Sequence, residues 1–278
     1  MPSVAVQNRI SARLAARKAQ GQMTLLAYVT VGYPTADSTV AVVRALAEAG
    51  VDAVELGIPF SDPLADGPTV QAASTAAIAS GTTVASCLRT AAEIRAALPD
   101  LPLLFMGYYN PILQYGPERF AFAAVNAGVD GVIVPDLPLE EAEEFDGPCR
   151  EAGLGIVPLI APVTPPERIA AIARRGPVFL YVTSRMGVTG ARGTLPRGLP
   201  ELVQRARAAT TAPLAVGFGI SRPEHIAALR PLADAAVVGS ALLDAVAASN
   251  DPATAAGRFL APLATAAHGD TGRVRLDV

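Results

Sequence analysis

Lysine, cysteine and histidine are scarce in this chain of 278 residues. Lys18 is the only lysine, and arginine supplies the other basic side chains. A Schiff base or a lysine-clamped phosphate is therefore not expected in the body of the chain. If the protein binds a phosphate, backbone N–H groups must supply most of the hydrogen bonds.

The few cysteines and histidines exclude two further kinds of site. Cys87 and Cys149 lie far apart without CxxC spacing, which is typical of reduced thiols in a cytoplasmic protein and not of a disulfide framework. The only histidines are His225, near the start of a predicted helix, and His268, near the end of the chain. We therefore expect neither a metal cluster nor a catalytic histidine.

Charge and hydropathy exclude two classes of partner. The formal net charge is -3, and no dense block of basic residues interleaved with aromatics is present, so nucleic acid is not an expected partner. The mean hydropathy is +0.37, but alanine contributes much of it. No uninterrupted apolar run is long enough to cross a bilayer, so we expect a soluble protein without a membrane segment.

Apolar side chains, at 51% of the residues, are sufficient for a full core. We expect one domain over residues 1–278, with a frayed tail at 268–278. Residues 1–20 contain three arginines and no acid, which resembles a mitochondrial transit peptide. We favour the alternative, a short N-terminal helix that packs Ile10 and Leu14 against the domain.

Short apolar runs alternate with amphipathic helical patterns, which is typical of βαβ units on a parallel sheet. The predicted strands are Leu25–Val31, Ala53–Gly57, Leu103–Met106, Gly131–Pro135, Gly155–Ile160, Val178–Val182, Leu214–Gly217 and Ala235–Val238. The predicted helices are Asp37–Ala49, Thr83–Ala97, Glu118–Asn126, Glu140–Ala152, Glu167–Arg174, Pro200–Ala209 and Pro223–Leu229, the last with a capping box from Ser221 to Glu224. Eight alternating strands without a glycine-rich first turn favour a single (β/α)8 TIM barrel, with an extra N-terminal helix, over a doubly wound sheet.

Two connections are longer than a helix and a turn require, and both follow the carboxyl end of a strand, where barrel active sites lie. The first runs from Ile58 to Thr69. The second runs from Ser184 to Leu199 and contains three glycines. Its composition fits a mobile lid that excludes water from a substrate, and it fits an ordinary surface loop equally well.

Glu55 lies within an apolar predicted strand. Burying an ionised carboxylate costs several kcal/mol, so this side chain either has a partner or keeps its proton through a raised pKa. It is a candidate general acid and base, with a structural carboxylate as the alternative. Asp62 and Asp66 follow on a proline-stiffened loop and fit turn residues as well as catalysts. These three carboxylates also fit a Mg²⁺ site.

Glycines follow the last two predicted strands. Gly217-Phe218-Gly219-Ile220-Ser221 ends one strand, and Val238-Gly239-Ser240-Ala241 ends the other. Loops at these two places in barrels commonly bind phosphate through backbone N–H groups, which favours a phosphate site, although glycine after a strand is common. Tyr28, Tyr108 and Tyr181 lie near other strand ends, where they either enter the barrel mouth or pack at its rim.

With these residues in place, the sequence closely resembles the tryptophan synthase alpha subunit family over nearly its whole length. The strongest match runs from Glu55 to Pro68, in the order Glu-Leu-Gly-Ile-Pro-Phe-Ser-Asp-Pro-Leu-Ala-Asp-Gly-Pro. Further matches are Ala27–Thr30, Tyr108–Pro111, Pro135–Pro138, Ser184–Gly190, Gly217–Ser221 and Val238–Ser240. Two positions depart from the family pattern: Tyr28 stands where phenylalanine is frequent, and Pro135 where alanine occurs.

The resemblance implies retro-aldol cleavage of indole-3-glycerol phosphate to indole and glyceraldehyde 3-phosphate in tryptophan biosynthesis, without metal or cofactor in this chain. It implies that Glu55 protonates the indole ring and also serves as base, that Asp66 binds the indole N–H, and that Tyr181 positions the substrate or the glutamate. The implied substrate-binding residues are Tyr28, Met106, Tyr108, Thr189, Phe218 and Ile220. The implied phosphate-binding residues are Gly190, Gly219, Gly239 and Ser240.

The resemblance also implies a partner, the tryptophan synthase beta subunit, which carries pyridoxal phosphate and receives indole within an alpha2beta2 assembly. Pro59, Asp62, Asn110 and Pro111 are expected to face it. A stand-alone lyase that releases free indole is the alternative, since it would have the same catalytic residues. A binding subunit without chemistry fits less well, because both Glu55 and Asp66 are retained.

Overall fold

The computed structural model describes residues 8–183, 198–217 and 219–269, and within them short strands alternate with helices. The strands are β1 (Thr24–Thr30), β2 (Ala53–Gly57), β3 (Leu103–Met106), β4 (Gly131–Ile133), β5 (Gly155–Ile156), β6 (Leu159–Ile160), β7 (Leu180–Thr183), β8 (Leu214–Gly217) and β9 (Ala235–Val238). The helices are α1 (Arg9–Ala19), α2 (Ser38–Glu48), α3 (Pro68–Ala79), α4 (Val84–Ala97), α5 (Tyr109–Tyr115), α6 (Pro117–Asn126), α7 (Glu143–Ala152), α8 (Pro166–Ala173), α9 (Leu199–Ala209), α10 (Pro223–Leu229), α11 (Ser240–Ala247) and α12 (Pro252–His268).

The strands form one parallel sheet in the order β5-β4-β3-β2-β1-β9-β8-β7-β6. Its two end strands, β5 and β6, are separated in sequence only by Val157 and Pro158. The Val157 N–H donates to the Val132 carbonyl of β4, and the Tyr181 N–H of β7 donates to the Pro158 carbonyl, both at 3.0 Å. The segment over residues 155–160 therefore pairs with β4 on one side and with β7 on the other. This closes the sheet, and the predicted closed barrel is confirmed. The single predicted strand over 155–160 is divided, because proline has no N–H to donate.

Side chains alternate between the two faces of each strand, as strand geometry requires. On β1, Leu26 packs inside the barrel, whereas Leu25 and Ala27 belong to the core between the sheet and the outer helices. Ile10 and Leu14 of α1 join the inner core. The predicted N-terminal helix is confirmed over Arg9–Ala19, and residues 1–7 lie outside the described chain.

Aspartates at the amino-terminal end of the barrel explain the basic character of α1. Asp52 accepts the Leu25 N–H at 2.9 Å and the Arg17 guanidinium at 2.7 Å. Asp130 and Asp234 accept neighbouring backbone N–H groups in the same way. They are also paired with basic residues of α1, Asp130 with Arg9 at 3.0 Å and Asp234 with Lys18 at 3.5 Å. These contacts fix α1 under the barrel, so that the opposite end is left for a site.

The structure corrects two local predictions and adds four helices to those predicted. The frayed tail does not begin at His268, which ends α12 and contacts Asp52 at 2.8 Å; residues 270–278 lie outside the described chain. The helix α10 begins at Pro223 with Arg222 as its cap and no side-chain capping bond, so the expected box from Ser221 to Glu224 is not formed. Helices α3, α5, α11 and α12 were not predicted. Within the described ranges, no helix is both long and apolar enough to span a membrane.

Candidate active site

Glu55 is held in the middle of β2 and is completely buried. Its neighbours across the ladder are Tyr28 on β1 and Leu104 on β3. Among the described residues, neither carboxylate oxygen has a hydrogen-bond partner. Burial raises the pKa of Glu55 to about 8, because the charged form is poorly solvated there. At neutral pH the side chain therefore mostly carries a proton that it can donate.

Asp66 lies at the end of the loop between β2 and α3, and its side chain is 5% exposed. Burial raises its pKa to about 6, and a side-chain hydrogen bond from Tyr108 acts in the opposite direction. Asp66 is therefore mostly ionised at pH 7, where Glu55 is mostly protonated. A pair of carboxyl groups with separated pKa values can supply a proton donor and a stabilising negative charge in one site.

Glu55 and Asp66 line the same cavity at the carboxyl ends of the strands. The cavity encloses about 490 Å³ of space, part of it open to solvent. Its other lining residues are Tyr28, Val70, Met106, Tyr181, Gly219, Ile220, Val237, Gly239, Ser240 and Ala241. The walls are thus mainly apolar and aromatic, with two carboxyl groups among them.

Glycines on adjacent strands make room for the two tyrosines of the cavity. A Cβ atom at Gly57 would lie 2.6 Å from Cζ of Tyr28, and one at Gly217 would lie 2.6 Å from Cζ of Tyr181. Each ring therefore lies across the next strand. The Tyr28 hydroxyl accepts a hydrogen bond from Thr30 at 3.3 Å. Burial, followed by the charges of Asp66 and Glu55, raises the pKa of both tyrosines, which keeps their hydroxyls protonated.

The other end of the cavity is built from the loops after β8 and β9. Gly219 has a positive φ of +85°, a conformation that glycine adopts without strain. Gly239 is the cap of α11, and Ser240 is its first residue. The first N–H groups of a helix have no intrahelical acceptor and attract anions. Neither lysine nor arginine lines the described cavity, so an anion here would be bound by backbone groups.

Several predicted site residues lie away from the cavity or outside the described chain. Tyr108 does not line the cavity but lies behind Asp66. Asp62 is exposed, and no group of three acidic, histidine or cysteine side chains in the described ranges is placed to hold a metal ion. Thr189, Gly190 and Phe218, with the whole predicted lid over 184–197, lie outside the described residues.

The residues expected to face a partner lie near the mouth of the cavity. Asp62 and Asn110 are exposed, Pro111 is half-buried and Pro59 is buried. The same loop and α5 carry apolar side chains that the sequence analysis did not single out, Leu64 at 85% exposure and Leu113 at 48%. A leucine between two prolines in a polar loop was the signal that could have identified Leu64.

Sequence reasoning also missed lining residues of the cavity. Val70 comes from α3, which was not predicted, and Ala241 was named only as part of the glycine motif after the last strand, without a role of its own. Val237 lies on the predicted last strand, and its inward position follows from the alternation along that strand. For Val237 and Ala241 the sequence therefore contained a usable signal, and for Val70 it did not.

Comparison with known proteins gives consistent similarities. A family profile described as "Tryptophan synthase alpha chain" matches residues 14–268. The tryptophan synthase alpha chain of Chloroflexus aurantiacus is 50% identical over 237 residues, covering 85% of this chain and 89% of that protein. The one from Roseiflexus castenholzii is 47% identical, with 86% and 92% covered.

Solved structures are similar over almost the whole chain. A Mycobacterium tuberculosis tryptophan synthase structure contains a chain with a TM-score of 0.88 and 34% identity, and the match covers 96% of this chain and 99% of that one. The tryptophan synthase subunit alpha of Legionella pneumophila matches with a TM-score of 0.84 and 37% identity, covering 94% and 98%. The likeness thus extends over both the sequence and the barrel.

Proposed function

The chain belongs to the tryptophan synthase alpha chain family, and on that premise we propose how its cavity cleaves indole-3-glycerol phosphate to indole and glyceraldehyde 3-phosphate. It is a lyase. The observation that carries the proposal is the pairing of a buried, protonated Glu55 with an ionised Asp66 in one largely apolar cavity.

Glu55 is the proton donor of the reaction. The bond between indole C3 and the glycerol chain breaks once C3 is protonated, because the ring then accepts the bonding electrons. The proton of Glu55 goes to C3, and the hydroxyl on the adjacent glycerol carbon must lose its proton as the aldehyde forms. The Glu55 carboxylate produced in the first step can accept that proton, so the step returns the enzyme to its starting state. One proton delivered to C3 and one removed from the hydroxyl account for the whole reaction. We therefore propose that the chain requires no cofactor of its own.

Asp66 stabilises the positive charge that develops on the indole nitrogen. A carboxylate that accepts the indole N–H becomes a stronger partner as the ring is protonated, so its interaction favours the transition state over the substrate. The ionised state of Asp66 at neutral pH supports this role. Tyr181 limits the position of Glu55 and of the ring, because it lines the same cavity and its pKa responds to the Glu55 charge.

The substrate lies with its ring among the apolar walls and its phosphate at the opposite end. Tyr28, Met106 and Ile220 provide ring contacts, with Phe218 and Thr189 as further proposed contacts outside the described residues. The phosphate is bound by the backbone at Gly219, Gly239 and Ser240, with Gly190 as a further candidate. The absence of basic side chains from the described cavity lining supports a backbone site.

The chain assembles with the tryptophan synthase beta subunit, and we propose an alpha2beta2 assembly in the cytoplasm. The proposed contact surface consists of Pro59, Asp62, Asn110 and Pro111, together with Leu64 and Leu113. Exposed leucines beside the mouth of the cavity support this placement, since apolar exposed patches mark protein contacts. Indole leaving the cavity on this side would meet the partner directly.

The proposal is tested by indole release from indole-3-glycerol phosphate in the presence of EDTA, with the purified chain alone and with a beta subunit. We expect cleavage that is insensitive to EDTA and accelerates with the partner. Rapid cleavage by the chain alone, unchanged by the partner, would instead identify a stand-alone lyase. No cleavage in either mixture would refute the proposed reaction.

A further inference from the structure

Helices α3 and α11 both begin at the cavity. Asp66 and Gly67 directly precede α3, whereas α11 begins with Ser240 in the proposed phosphate site. The side-chain amide of Gln71, on the first turn of α3, donates to the Asp66 carbonyl at 2.8 Å. The backbone of Asp66 is therefore tied to α3 and follows any displacement of that helix.

The two helices are joined by an apolar contact and by a hydrogen bond. Leu243 of α11 is buried with Val70 and Ala73 of α3 in a small apolar cluster that is separate from the main core. On the exposed side, the Thr69 hydroxyl of α3 donates to Oδ1 of Asp244 on α11 at 3.0 Å. Apolar packing is non-directional, whereas a hydrogen bond has a preferred length and angle. The contact between Thr69 and Asp244 therefore sets how α3 lies along α11.

We propose that Thr69 and Asp244 are positioning residues, which hold Asp66 at the correct distance from the phosphate site at the start of α11. The inference rests on the proposed function, in which one substrate molecule contacts Asp66 through its indole N–H and α11 through its phosphate. Both contacts form together only while the two helices keep their relative position. Neither Thr69 nor Asp244 lines the described cavity, so both act through the helices that carry them.

The chain offers two matched controls. Asp244→Ala and Asp244→Asn remove the same negative charge, but the asparagine keeps an oxygen that accepts the Thr69 hydroxyl. A difference between these two variants therefore reports the hydrogen bond and not the charge. Thr75→Val is the control for Thr69→Val, because the Thr75 hydroxyl is also on α3 but donates at 2.9 Å to the Gln71 carbonyl of its own helix.

The test follows the backbone amide resonances of the full chain by ¹⁵N NMR during a titration with inorganic phosphate. In the wild type, phosphate should shift the amides of Gly239 and Ser240 and, through the joined helices, those of Asp66 and Gly67. In Thr69→Val and Asp244→Ala the shifts at Gly239 and Ser240 should persist, while those at Asp66 and Gly67 should fall by about half or more, because the directional link is lost.

The control variants Asp244→Asn and Thr75→Val should give the wild-type pattern of shifts. Three results would overturn the proposal: unchanged shifts at Asp66 and Gly67 in Thr69→Val, an equal decrease in Thr75→Val, or a wild-type chain in which phosphate shifts none of these amides.

A second measurement depends on the proposed reaction and compares indole-3-glycerol phosphate with indole-3-glycerol, which has no phosphate to bind at α11. For the phosphorylated substrate, kcat/KM should be about threefold lower in Thr69→Val than in wild type, and about threefold lower in Asp244→Ala than in Asp244→Asn. For indole-3-glycerol, kcat/KM should not change. Equal losses with both substrates would indicate general damage and contradict the positioning role. If the wild-type chain releases no indole from the phosphorylated substrate, the proposed reaction fails, while the phosphate titration still decides the roles of Thr69 and Asp244.

Discussion

Glu55→Gln should make the free energy of unfolding less sensitive to alkaline pH, and it should also remove the activity. The wild-type carboxyl is fully buried, and its pKa is raised from 4.5 to about 8 by burial. Because the folded-state pKa exceeds the unfolded one, folding favours the protonated form. The contribution of Glu55 to stability is therefore highest below pH 4.5 and is lost as the pH rises toward 8. Glutamine keeps the shape of the side chain and does not titrate.

The size of the change in stability follows from the pKa shift of Glu55. About 3.5 units, at ~1.36 kcal/mol for each, give a total loss of about 5 kcal/mol for the wild-type protein across the full window. Between pH 5 and pH 8 the loss is about 3.5 kcal/mol, because the titration is incomplete at both limits. Other groups, including Asp66, are present in both proteins, and their contributions largely cancel in the comparison.

Urea unfolding followed by circular dichroism at pH 5 and pH 8 measures this difference. The free energy of unfolding of Glu55→Gln, relative to wild type, should rise by about 3.5 kcal/mol between the two pH values. Glu93→Gln, at an exposed position on α4, is the control and should show a nearly constant difference. A constant difference for Glu55→Gln as well would refute the assignment of a raised pKa to Glu55.

Three further variants test other parts of the structure. Asp66→Asn should lower kcat for indole release by about 10²-fold or more with little change in the melting temperature, and wild-type kcat would contradict the charge-stabilising role. Gly217→Ala should cost about 1–3 kcal/mol in urea unfolding and lower kcat, because the added Cβ would lie 2.6 Å from Cζ of Tyr181; full stability with full activity would show that the ring moves freely. Asp52→Asn should lower the free energy of unfolding by about 3–5 kcal/mol at pH 7 and by less at pH 3. Burial raises the pKa of Asp52, but the contacts with His268, Leu25 and Arg17 outweigh it and lower the pKa. The stabilisation from the charged form is therefore lost as the pH falls below 3.8. An equal cost of Asp52→Asn at both pH values would argue against a stabilising charge there.

The barrel was predictable because its strands are short apolar runs with a regular spacing. Seven of the helices between them were identified from amphipathic patterns, with bounds within a few residues of those observed. The missed helix α3 is rich in alanine and has no clear apolar face, so no periodicity marks it. The division of the fifth strand depends on Pro158, whose missing N–H affects pairing on one side while its carbonyl still accepts on the other.

The chemistry of the site was partly visible in the sequence. Glu55 was identified because an ionised carboxylate within an apolar strand is costly to bury. Its complete burial agrees with that prediction. The position of Tyr108 behind Asp66 was not visible, because residues 42 positions apart meet only through the packing of the loop on α5. Sequence proximity to a strand end placed Tyr28, Tyr108 and Tyr181 in one group, whereas the direction of each side chain separates them.

The most direct test of the account is the rate of indole release from indole-3-glycerol phosphate by Glu55→Gln in the presence of a beta subunit, compared with wild type at the same pH. We predict a loss on the order of 10²–10⁴-fold in kcat, because the isosteric amide cannot deliver the proton to indole C3. Turnover within about threefold of wild type would contradict the central role of Glu55.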